Sequence, residues 1–306
     1  MSISSDPSYL DVAQPTVAHK PASWVSTLVV LFKLRIVALL LFAGIGGAFI
    51  AAGGAPTWSA IGLLCFGGGL AAAGASALNQ YLEAGQDALM GRTRRRPLVT
   101  QVIAQPAWVP YVGLGLIVGP VLIVAPFNWA LAFWSLLGAT IYVGVYTIWL
   151  KPRTVLNIVI GGLAGSCAVL SGGAAVGNWA DPGVLGLALL LFLWTPTHFW
   201  SLAIVYREDY ARANVPMLPV RTSLTYAAAW VLFHSVATGG VALALSFHPA
   251  LGLLYLALAL PATLHLLWQS YQLLRLPQVR QAKALFMTSN VYLTLILVAI
   301  CLDLVL

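Results

Sequence analysis

The sequence predicts an all-α polytopic membrane protein, a single bundle of nine transmembrane helices with its N-terminus in the cytoplasm and its C-terminus outside. Two observations predict this class. Hydrophobic residues make up 60% of the 306 residues and charged residues only 8%, too few to cover the surface of a soluble globule. Basic residues also recur at every second boundary between apolar stretches.

The apolar stretches have the length that a membrane helix needs, which is about 20 residues. The mean hydropathy of the chain is +0.92. Gly, Pro, Asn and charged residues separate nine predicted spans, at residues 34–53, 59–81, 107–125, 127–149, 155–177, 183–205, 223–246, 250–272 and 286–305.

The 15 Lys and Arg residues indicate the orientation of the bundle. They precede or open the first span, or they follow the second, fourth, sixth and eighth spans, whereas the loops after odd-numbered spans contain none. The positive-inside rule therefore places the N-terminus in the cytoplasm and supports an odd number of spans. The formal net charge of +7 is then a topology signal, so no nucleic-acid partner is predicted.

Residues 1–24 are predicted to form a disordered cytoplasmic tail, and residues 25–306 a single transmembrane domain. The tail lacks the apolar core of a signal peptide and carries two acids beside one Lys. We therefore expect a multi-pass protein of a bacterial-type cytoplasmic (inner) membrane. Cys65, Cys167 and Cys301 lie inside spans without C-x-x-C spacing, which favours buried apolar roles over a disulfide or a zinc site.

Four of the eight acids lie at the ends of the second and sixth spans, and two of these are in the segment NQYLEAGQDALMGRTRRRPL (79–98). Asn79, Glu83 and Asp87 recur at a spacing of four, which places them on one face of a helix. Such oxygen donors suit Mg²⁺, which takes one or two carboxylates together with phosphate oxygens and water. Ion pairing of these acids with neighbouring arginines is the alternative, and it accounts less well for the deeper Asn79 amide.

The same segment continues with four arginines. Arg92 and Arg96 supply forked donors that match phosphate oxygens, whereas Arg94 and Arg95 can serve as topology anchors alone. Carboxylates at a helix end followed by such donors describe a site for a Mg²⁺-bound diphosphate.

A second acidic segment, THFWSLAIVYREDYARANVPMLPV (197–220), ends the sixth span. His198 lies within the span, where an ionisable residue suggests a functional site, although a hydrogen-bonded packing role is about as common. Glu208 and Asp209 are adjacent and cannot share one helix face, and Asp209 is favoured to face the site.

These two segments, together with YTIWLKPRTVLNIVIGGLAGS (146–166), resemble the protohaem IX farnesyltransferase (haem O synthase) branch of the UbiA-type intramembrane prenyltransferases. The resemblance extends from LFKLRIVALLLF in the first span to ALFMTSNVYLTLILVAICLD in the last. Three positions depart from the family pattern: Glu83 replaces a usual Asp, Gly85 a further Asp, and Leu34 a usual Pro.

The resemblance implies a reaction. The farnesyl group of farnesyl diphosphate is transferred to a vinyl group of haem B, with addition of water, giving haem O and diphosphate. Mg²⁺ is the implied cofactor and haem B the co-substrate. Haem A synthase and the assembly of a terminal oxidase are the implied downstream partners in the lipid bilayer.

The resemblance also implies roles for individual residues. Catalysis is assigned to Asp87, Asp209, Arg92 and Arg96. Metal binding is assigned to Asn79, Glu83, Asp87 and Asp209, and diphosphate binding to Lys33, Arg92, Arg96, Lys151, Arg153 and Arg207. Haem binding is assigned to His198 and then His234, although a packing role is a strong alternative for His234. The wall of the prenyl and acceptor cavity is assigned to Tyr142, Tyr146, Trp149 and Tyr206, residues that also suit an interfacial aromatic belt.

Two other functions are compatible with the pattern. A UbiA-type prenyltransferase acting on another aromatic acceptor, such as a quinone precursor or a chlorin, would not need His198. A secondary transporter would place its acids near the bilayer centre between inverted repeats. The acids of this chain instead lie at one membrane surface beside arginines, which disfavours transport.

Overall fold

The computed structural model describes residues 23–306, and the regular structure within this range is helical. We number the helices in chain order. They are α1 (Trp24–Leu31), α2 (Leu34–Ala52), α3 (Trp58–Leu82), α4 (Ala84–Ala88), α5 (Trp108–Val124), α6 (Trp129–Leu150), α7 (Asn157–Val176), α8 (Pro182–Val205), α9 (Arg207–Arg212), α10 (Leu218–Arg221), α11 (Leu224–Phe247), α12 (Leu253–Arg275) and α13 (Val279–Asp303).

Polar caps set where several of these helices begin. At the starts of α1, α3, α6, α8 and α11, a side-chain oxygen accepts a hydrogen bond from a backbone N–H group. These capping residues are Ser23, Thr57, Asn128, Asp181 and Ser223. Each cap satisfies an N–H group that has no partner within its own helix. The boundaries between apolar stretches therefore become defined helix ends.

Eight helices in residues 23–306 are long and apolar enough to cross a membrane: α2, α3, α6, α7, α8, α11, α12 and α13. The ninth predicted span corresponds to α5, an apolar helix of 17 residues that is shorter than the others. The chain is therefore an all-helical, multi-pass membrane protein.

The predicted spans match the helices closely, with two differences. Helix α13 begins at Val279, seven residues before the predicted start, because Arg280 and Lys283 extend its first turns beyond the apolar stretch. Helix α1 was not predicted. Its first residue, Trp24, was assigned to the tail, and the rest of that predicted tail, apart from the α1 cap Ser23, lies outside the described residues.

Helices α2 and α7 pack with their backbones in direct contact. A Cβ atom added to Gly47 would lie 2.4 Å from the carbonyl oxygen of Val169, and one added to Gly172 would lie 1.7 Å from that of Gly44. Small residues permit such close approach between membrane helices, which associate through packing rather than through a hydrophobic driving force. This contact fixes one side of the cavity described below.

Substitution of Gly172 by Ala is expected to destabilise the protein, because the added methyl group would meet backbone that cannot rotate away. Overpacking of this kind costs about 1–3 kcal/mol. The midpoint of thermal unfolding in detergent, followed by fluorescence-detected size exclusion, should fall. Gly115→Ala is the matched control, since no heavy atom lies within 4 Å of the added Cβ. Equal midpoints for the two variants would contradict the packing described.

Candidate active site

A cavity of about 610 Å³ lies inside the bundle, enclosed by α2, α3, α6, α7, α8 and α13. Its wall is apolar over most of its length and polar at one end. Ile36 and Leu39 line the cavity although their side chains are about half exposed, so the cavity also reaches the outer surface of the bundle beside α2.

The polar end, which we call the charged mouth, lies where α3 and α6 end. It carries four cationic side chains and one carboxylate, an excess of positive charge that suits a polyanionic ligand. Its residues are Lys33, Asn79, Glu83, Arg92, Arg96 and Lys151.

A π-helical segment of α6, Ile141–Leu150, brings three predicted residues to the mouth. The wider turn continues to Lys151, whose backbone N–H donates a hydrogen bond to the backbone carbonyl of Tyr146 at 2.8 Å. The rings of Tyr142 and Tyr146 are stacked with centroids 6.0 Å apart, and Lys151 Nζ lies 5.9 Å from the centre of the Tyr146 ring. Wide turns of this type are frequent at functional sites. Here the turn places Tyr142, Tyr146 and Lys151 on one wall.

Lys33 joins α1 to α2 in a left-handed backbone conformation, with φ of 48°, that non-glycine residues rarely adopt. Its ammonium group donates to Asn79 Oδ1 at 2.5 Å and to the Tyr142 hydroxyl at 3.0 Å. Asn79 Nδ2 in turn donates to Thr147 Oγ1 at 3.0 Å. Burial, assisted by the charge of Arg96, lowers the pKa of Lys33 to about 7, against the attraction of Glu83.

Glu83 is buried at the end of α3 and accepts a hydrogen bond from Lys151 Nζ at 2.5 Å. Burial raises the pKa of Glu83, but the charges of Lys151, Lys33 and Arg96 outweigh it and hold that pKa below its usual value. The carboxylate is therefore ionised and is held by cations from other segments.

The three predicted metal ligands Asn79, Glu83 and Asp87 do not lie on one uninterrupted helix. Helix α3 ends at Leu82, and the short helix α4 begins at Ala84. Asn79 and Glu83 line the cavity, whereas Asp87 is buried behind the mouth and forms an ion pair with Arg96. Thr93 donates to the Asp87 carbonyl at 3.0 Å and thereby closes the loop between them. Asp87 therefore orients Arg96 instead of lining the cavity itself.

Asp209 from the second acidic segment lies against the first. A Cβ atom added to Gly91 would lie 3.4 Å from Asp209 Oδ2, so the two segments are adjacent. Asp209 is buried and forms an ion pair with Arg212, while the neighbouring Glu208 is exposed. Asp209 is not among the residues that line the cavity, so its role as a metal ligand stays a prediction.

His198 lines the cavity from α8, among aromatic side chains. Its ring stacks on Trp194 with centroids 4.5 Å apart and on Phe286 at 4.6 Å. Its Nδ1 atom lies 2.9 Å from Ser289 Oγ. We call the cavity surface formed by Trp194, His198, Phe199 and Phe286 the aromatic wall.

Another part of the cavity surface is lined by small side chains, and we call it the small-residue wall. It is formed by α3, α6 and α7, and its residues include Gly68, Ala72, Ala75, Gly138, Ala139, Ala164 and Ala168.

Two predicted diphosphate ligands and one predicted wall residue lie elsewhere. Arg153 is exposed and donates to the carbonyls of Ile148 and Trp149, where it caps the end of α6. Arg207 is exposed at the start of α9, and Trp149 points outward with 59% of its surface exposed. These three assignments to the cavity are not supported, because helix direction at the ends of α6 and α8 turns their side chains outward.

Tyr206 and His234 are also outside the cavity lining. The Tyr206 ring packs under the guanidinium of Arg92, with 5.8 Å between the guanidinium carbon and the ring centroid. His234 Nδ1 lies 2.9 Å from the carbonyl of Trp230 on its own helix, and its ring packs edge-on to Trp200. His234 is therefore a hydrogen-bonded packing residue, which was the alternative interpretation from sequence.

Other cavity residues were not singled out in the sequence. Trp194, Tyr210 and Phe286 line the cavity, and Ser289 contacts His198 from α13. Aromatic and Ser residues are common in membrane helices for packing reasons, so their identity carries little signal. The position of Trp194 one turn before His198 was the available clue.

The oxygen donors at the mouth can be assessed as metal ligands. Among residues 23–306, no group of three or more His, Cys, Asp or Glu side chains is placed to hold a metal ion. Asn79 and Glu83 nevertheless lie one helical turn apart on the cavity wall. Mg²⁺ commonly takes one or two carboxylates and draws its other ligands from substrate phosphates and water. The donors therefore fit Mg²⁺ that arrives with a phosphorylated substrate.

Comparison with known proteins decides the family. The sequence model of the UbiA prenyltransferase family matches residues 39–292. The chain belongs to the UbiA prenyltransferase family. This finding confirms the family and the enzyme class that the sequence motifs predicted.

Curated relatives of this UbiA family member match over most of its length. Protoheme IX farnesyltransferase 2 of Paramagnetospirillum magneticum is 42% identical, and the match covers 89% of this chain and 94% of the relative. Protoheme IX farnesyltransferase of Streptomyces coelicolor is 37% identical, with coverage of 99% and 98%.

Solved structures agree in fold. A structure of digeranylgeranylglyceryl phosphate synthase has a TM-score of 0.72 at 17% identity and covers 92% of this chain and 98% of its own. A UbiA homolog from Archaeoglobus fulgidus bound to DMAPP and Mg²⁺ has a TM-score of 0.61 at 15% identity, with coverage of 89% and 98%. These structures place the chain in the fold of the family.

Replacement of Arg92 by Met is expected to weaken binding of inorganic diphosphate in the presence of Mg²⁺ by about 10-fold or more, since a hydrogen bond to a charged group is worth about 1.5–3 kcal/mol. Arg92 takes part in no ion pair among residues 23–306, so its loss leaves no buried acid unpaired. Isothermal titration in detergent measures the affinity. Arg95→Met removes the same charge from an exposed position outside the cavity and is the control. Equal weakening by both variants would contradict a specific role for the mouth.

Proposed function

We propose that this enzyme transfers the farnesyl group of farnesyl diphosphate to a vinyl group of haem B, with addition of water, to give haem O and diphosphate. The observation that carries the proposal is one cavity in which a positively charged mouth joins a small-residue wall and an aromatic wall that holds a histidine. The names of the curated relatives support the same reaction.

The charged mouth suits the leaving group. The bond between the allylic carbon and the diphosphate oxygen breaks, and negative charge develops on the departing oxygens. Lys33, Arg92, Arg96 and Lys151 are held in place before the substrate arrives, so they can stabilise this charge without reorganisation. Mg²⁺ held by Asn79 and Glu83, with Asp87 and Asp209 behind them, would supply further positive charge to the diphosphate. The A. fulgidus homolog of the same fold is bound to DMAPP and Mg²⁺, which supports a prenyl diphosphate with Mg²⁺ as the ligand.

The two walls suit the two organic groups. The small-residue wall leaves room for a flexible isoprenoid chain and offers it an apolar surface. The aromatic wall offers a planar porphyrin an apolar packing surface, and His198 lies within that wall. An apolar cavity also shields the allylic cation from water until the vinyl carbon attacks it.

Two steps follow the departure of diphosphate. The terminal vinyl carbon forms a bond to the farnesyl carbon, and the resulting positive charge lies on the vinyl carbon attached to the porphyrin. A water oxygen adds to that carbon and loses a proton, which leaves a hydroxyl group on haem O. Water must therefore reach the porphyrin side of the cavity after, and not before, the new carbon–carbon bond has formed.

The position of the acids favours an enzyme over a transporter. Glu83, Asp87 and Asp209 are grouped at one end of the helices and are paired with basic side chains. Haem B is favoured over a quinone precursor or a chlorin because a histidine lies within the aromatic wall and the relatives are named for protohaem.

We place the chain in a bacterial-type inner membrane with nine crossings, α5 being the ninth, the N-terminus in the cytoplasm and the C-terminus outside, in agreement with the distribution of basic residues. The charged mouth then faces the cytoplasm. Haem O would pass to haem A synthase or to terminal oxidase assembly.

Purified protein incubated with haem B, farnesyl diphosphate and Mg²⁺ is expected to yield a porphyrin heavier by one farnesyl group and one hydroxyl group. Mass spectrometry of the extracted haem measures this product, which should be absent when the metal is chelated. Unmodified haem B, together with a prenylated quinone precursor or chlorin in parallel reactions, would overturn the choice of acceptor.

Substitution of Gly68 by Leu is expected to shorten the prenyl chain that the cavity accepts. A Cβ atom at Gly68 would meet only Leu64 and Ser135, at 3.4 and 3.7 Å, so the new side chain can enter the cavity without displacing backbone. Along α3, Gly68 lies about 20 Å from the mouth, at 1.5 Å per residue. The ratio of kcat/KM for geranyl over farnesyl diphosphate should rise.

Gly62→Leu is the matched control, because Gly62 is on the same helix, is exposed and has no heavy atom within 4 Å of an added Cβ. An unchanged ratio in Gly68→Leu would place the isoprenoid elsewhere.

A further inference from the structure

The His198 ring is held on both faces. Trp194 stacks on one side at 4.5 Å and Phe286 stacks at 4.6 Å, while Phe199 contacts the ring edge-on at 5.0 Å. An imidazole covered in this way cannot stack on a ligand itself. It can offer the cavity only a nitrogen on its edge.

Ser289 occupies one of the two ring nitrogens. Its Oγ atom lies 2.9 Å from His198 Nδ1 and donates its hydrogen to the carbonyl of Phe286 at 2.8 Å. A hydroxyl group has one hydrogen to donate, and a carbonyl oxygen can only accept. With that hydrogen committed to Phe286, Ser289 Oγ accepts from Nδ1–H. The proton of the neutral ring is then on Nδ1, and Nε2 carries a free lone pair.

The surrounding contacts hold this arrangement rigid. Trp194 Nε1 donates to the carbonyl of Ser289 at 2.9 Å, so the residue that stacks on His198 also anchors the turn of α13 that carries Ser289. Ser289 is fully buried. His198 and Ser289 therefore form a unit that joins α8 to α13 across the edge of the cavity.

We infer that Ser289 is a positioning residue, which holds the His198 proton on Nδ1 and thereby presents Nε2 to the cavity as an axial ligand for the iron of the porphyrin substrate. The inference rests on the proposed function, because it requires haem in the aromatic wall. Histidines that ligate metals usually donate their second ring N–H to a nearby acceptor, and loss of that acceptor typically lowers metal affinity by about 10–100-fold. Ser289 is placed to be this acceptor.

Titration of the purified protein with ferric haem B tests the inference by a readout other than turnover. Wild-type protein is expected to give the Soret band and electron paramagnetic resonance spectrum of histidine-ligated haem, and His198→Ala to lose them. Ser289→Ala is expected to bind haem about 10–100-fold more weakly, with its spectrum shifted toward high spin. Ser270→Ala is the control, because Ser270 is equally buried and bonds Ser235 at 2.7 Å outside the cavity.

Three results would overturn the inference. One is a Ser289→Ala variant that binds haem with wild-type affinity and spectrum. Another is a His198→Ala variant that retains the histidine-ligated spectrum. The third comes from ¹⁵N spectra of histidine-labelled wild-type protein, assigned by difference from His198→Gln, if the proton is on Nε2. The labelled wild type requires no serine variant to fold.

These results are distinguishable from failure of the proposed function. Farnesylated haem produced by a protein that lacks a His198 ligand would leave the reaction in place and remove only the positioning role. A porphyrin that never gains a farnesyl group would instead remove the reaction itself, whatever the axial ligand.

Discussion

Buried charge at one end of an apolar bundle is the constraint on which the rest of this structure depends. Glu83 and Asp87 are almost fully buried, and an unpaired carboxylate in such a place would be strongly unfavourable. Each is paired with a basic side chain from another segment, Lys151 after α6 and Arg96 in the loop after α4. These pairs fix the ends of α3, α4 and α6 relative to one another. The same pairs leave a surplus of positive charge facing the cavity, so the arrangement that stabilises the fold also prepares the site for an anion.

The apolar part of the bundle forms the cavity that the charged mouth opens into. Close backbone contact between α2 and α7 brings helices together where glycine allows it, and small residues on α3, α6 and α7 leave space where the helices face the cavity. Bulky aromatic residues line the cavity on α8 and α13, where His198 lies between Trp194 and Phe286. Residue size along the walls thus separates a surface for a flexible chain from a surface for a flat ring. The charged mouth opens into the same cavity as both surfaces, which a diphosphate at the mouth requires if its allylic carbon is to reach the second substrate.

Most of the fold and part of the site could be predicted from the sequence. The spans follow from apolar length, which physical chemistry restricts tightly in a membrane, and the family follows from the motifs. Asn79, Glu83, Arg92 and Arg96 could be assigned to one site from their spacing and donor types within one segment, and Lys151 from the family resemblance. The break after Leu82, the π-helical turn of α6 and the left-handed Lys33 could not be predicted, because tertiary contacts impose them against local preference. The outward directions of Arg153 and Trp149 follow from the π-helical turn of α6. Ser289 was invisible for another reason: its role depends on a partner 91 residues away in the sequence.

The central claim is that the paired charges form a site for a metal-bound diphosphate. Electron paramagnetic resonance of Mn²⁺, used in place of Mg²⁺ with inorganic diphosphate, tests it most directly. The account predicts a protein-bound Mn²⁺ signal with coupling to phosphorus in the wild type, which is lost in Glu83→Gln and retained in Glu208→Gln, a variant that removes an exposed acid from the second segment. A bound signal of equal strength in Glu83→Gln, or no bound Mn²⁺ in the wild type with diphosphate present, would contradict it.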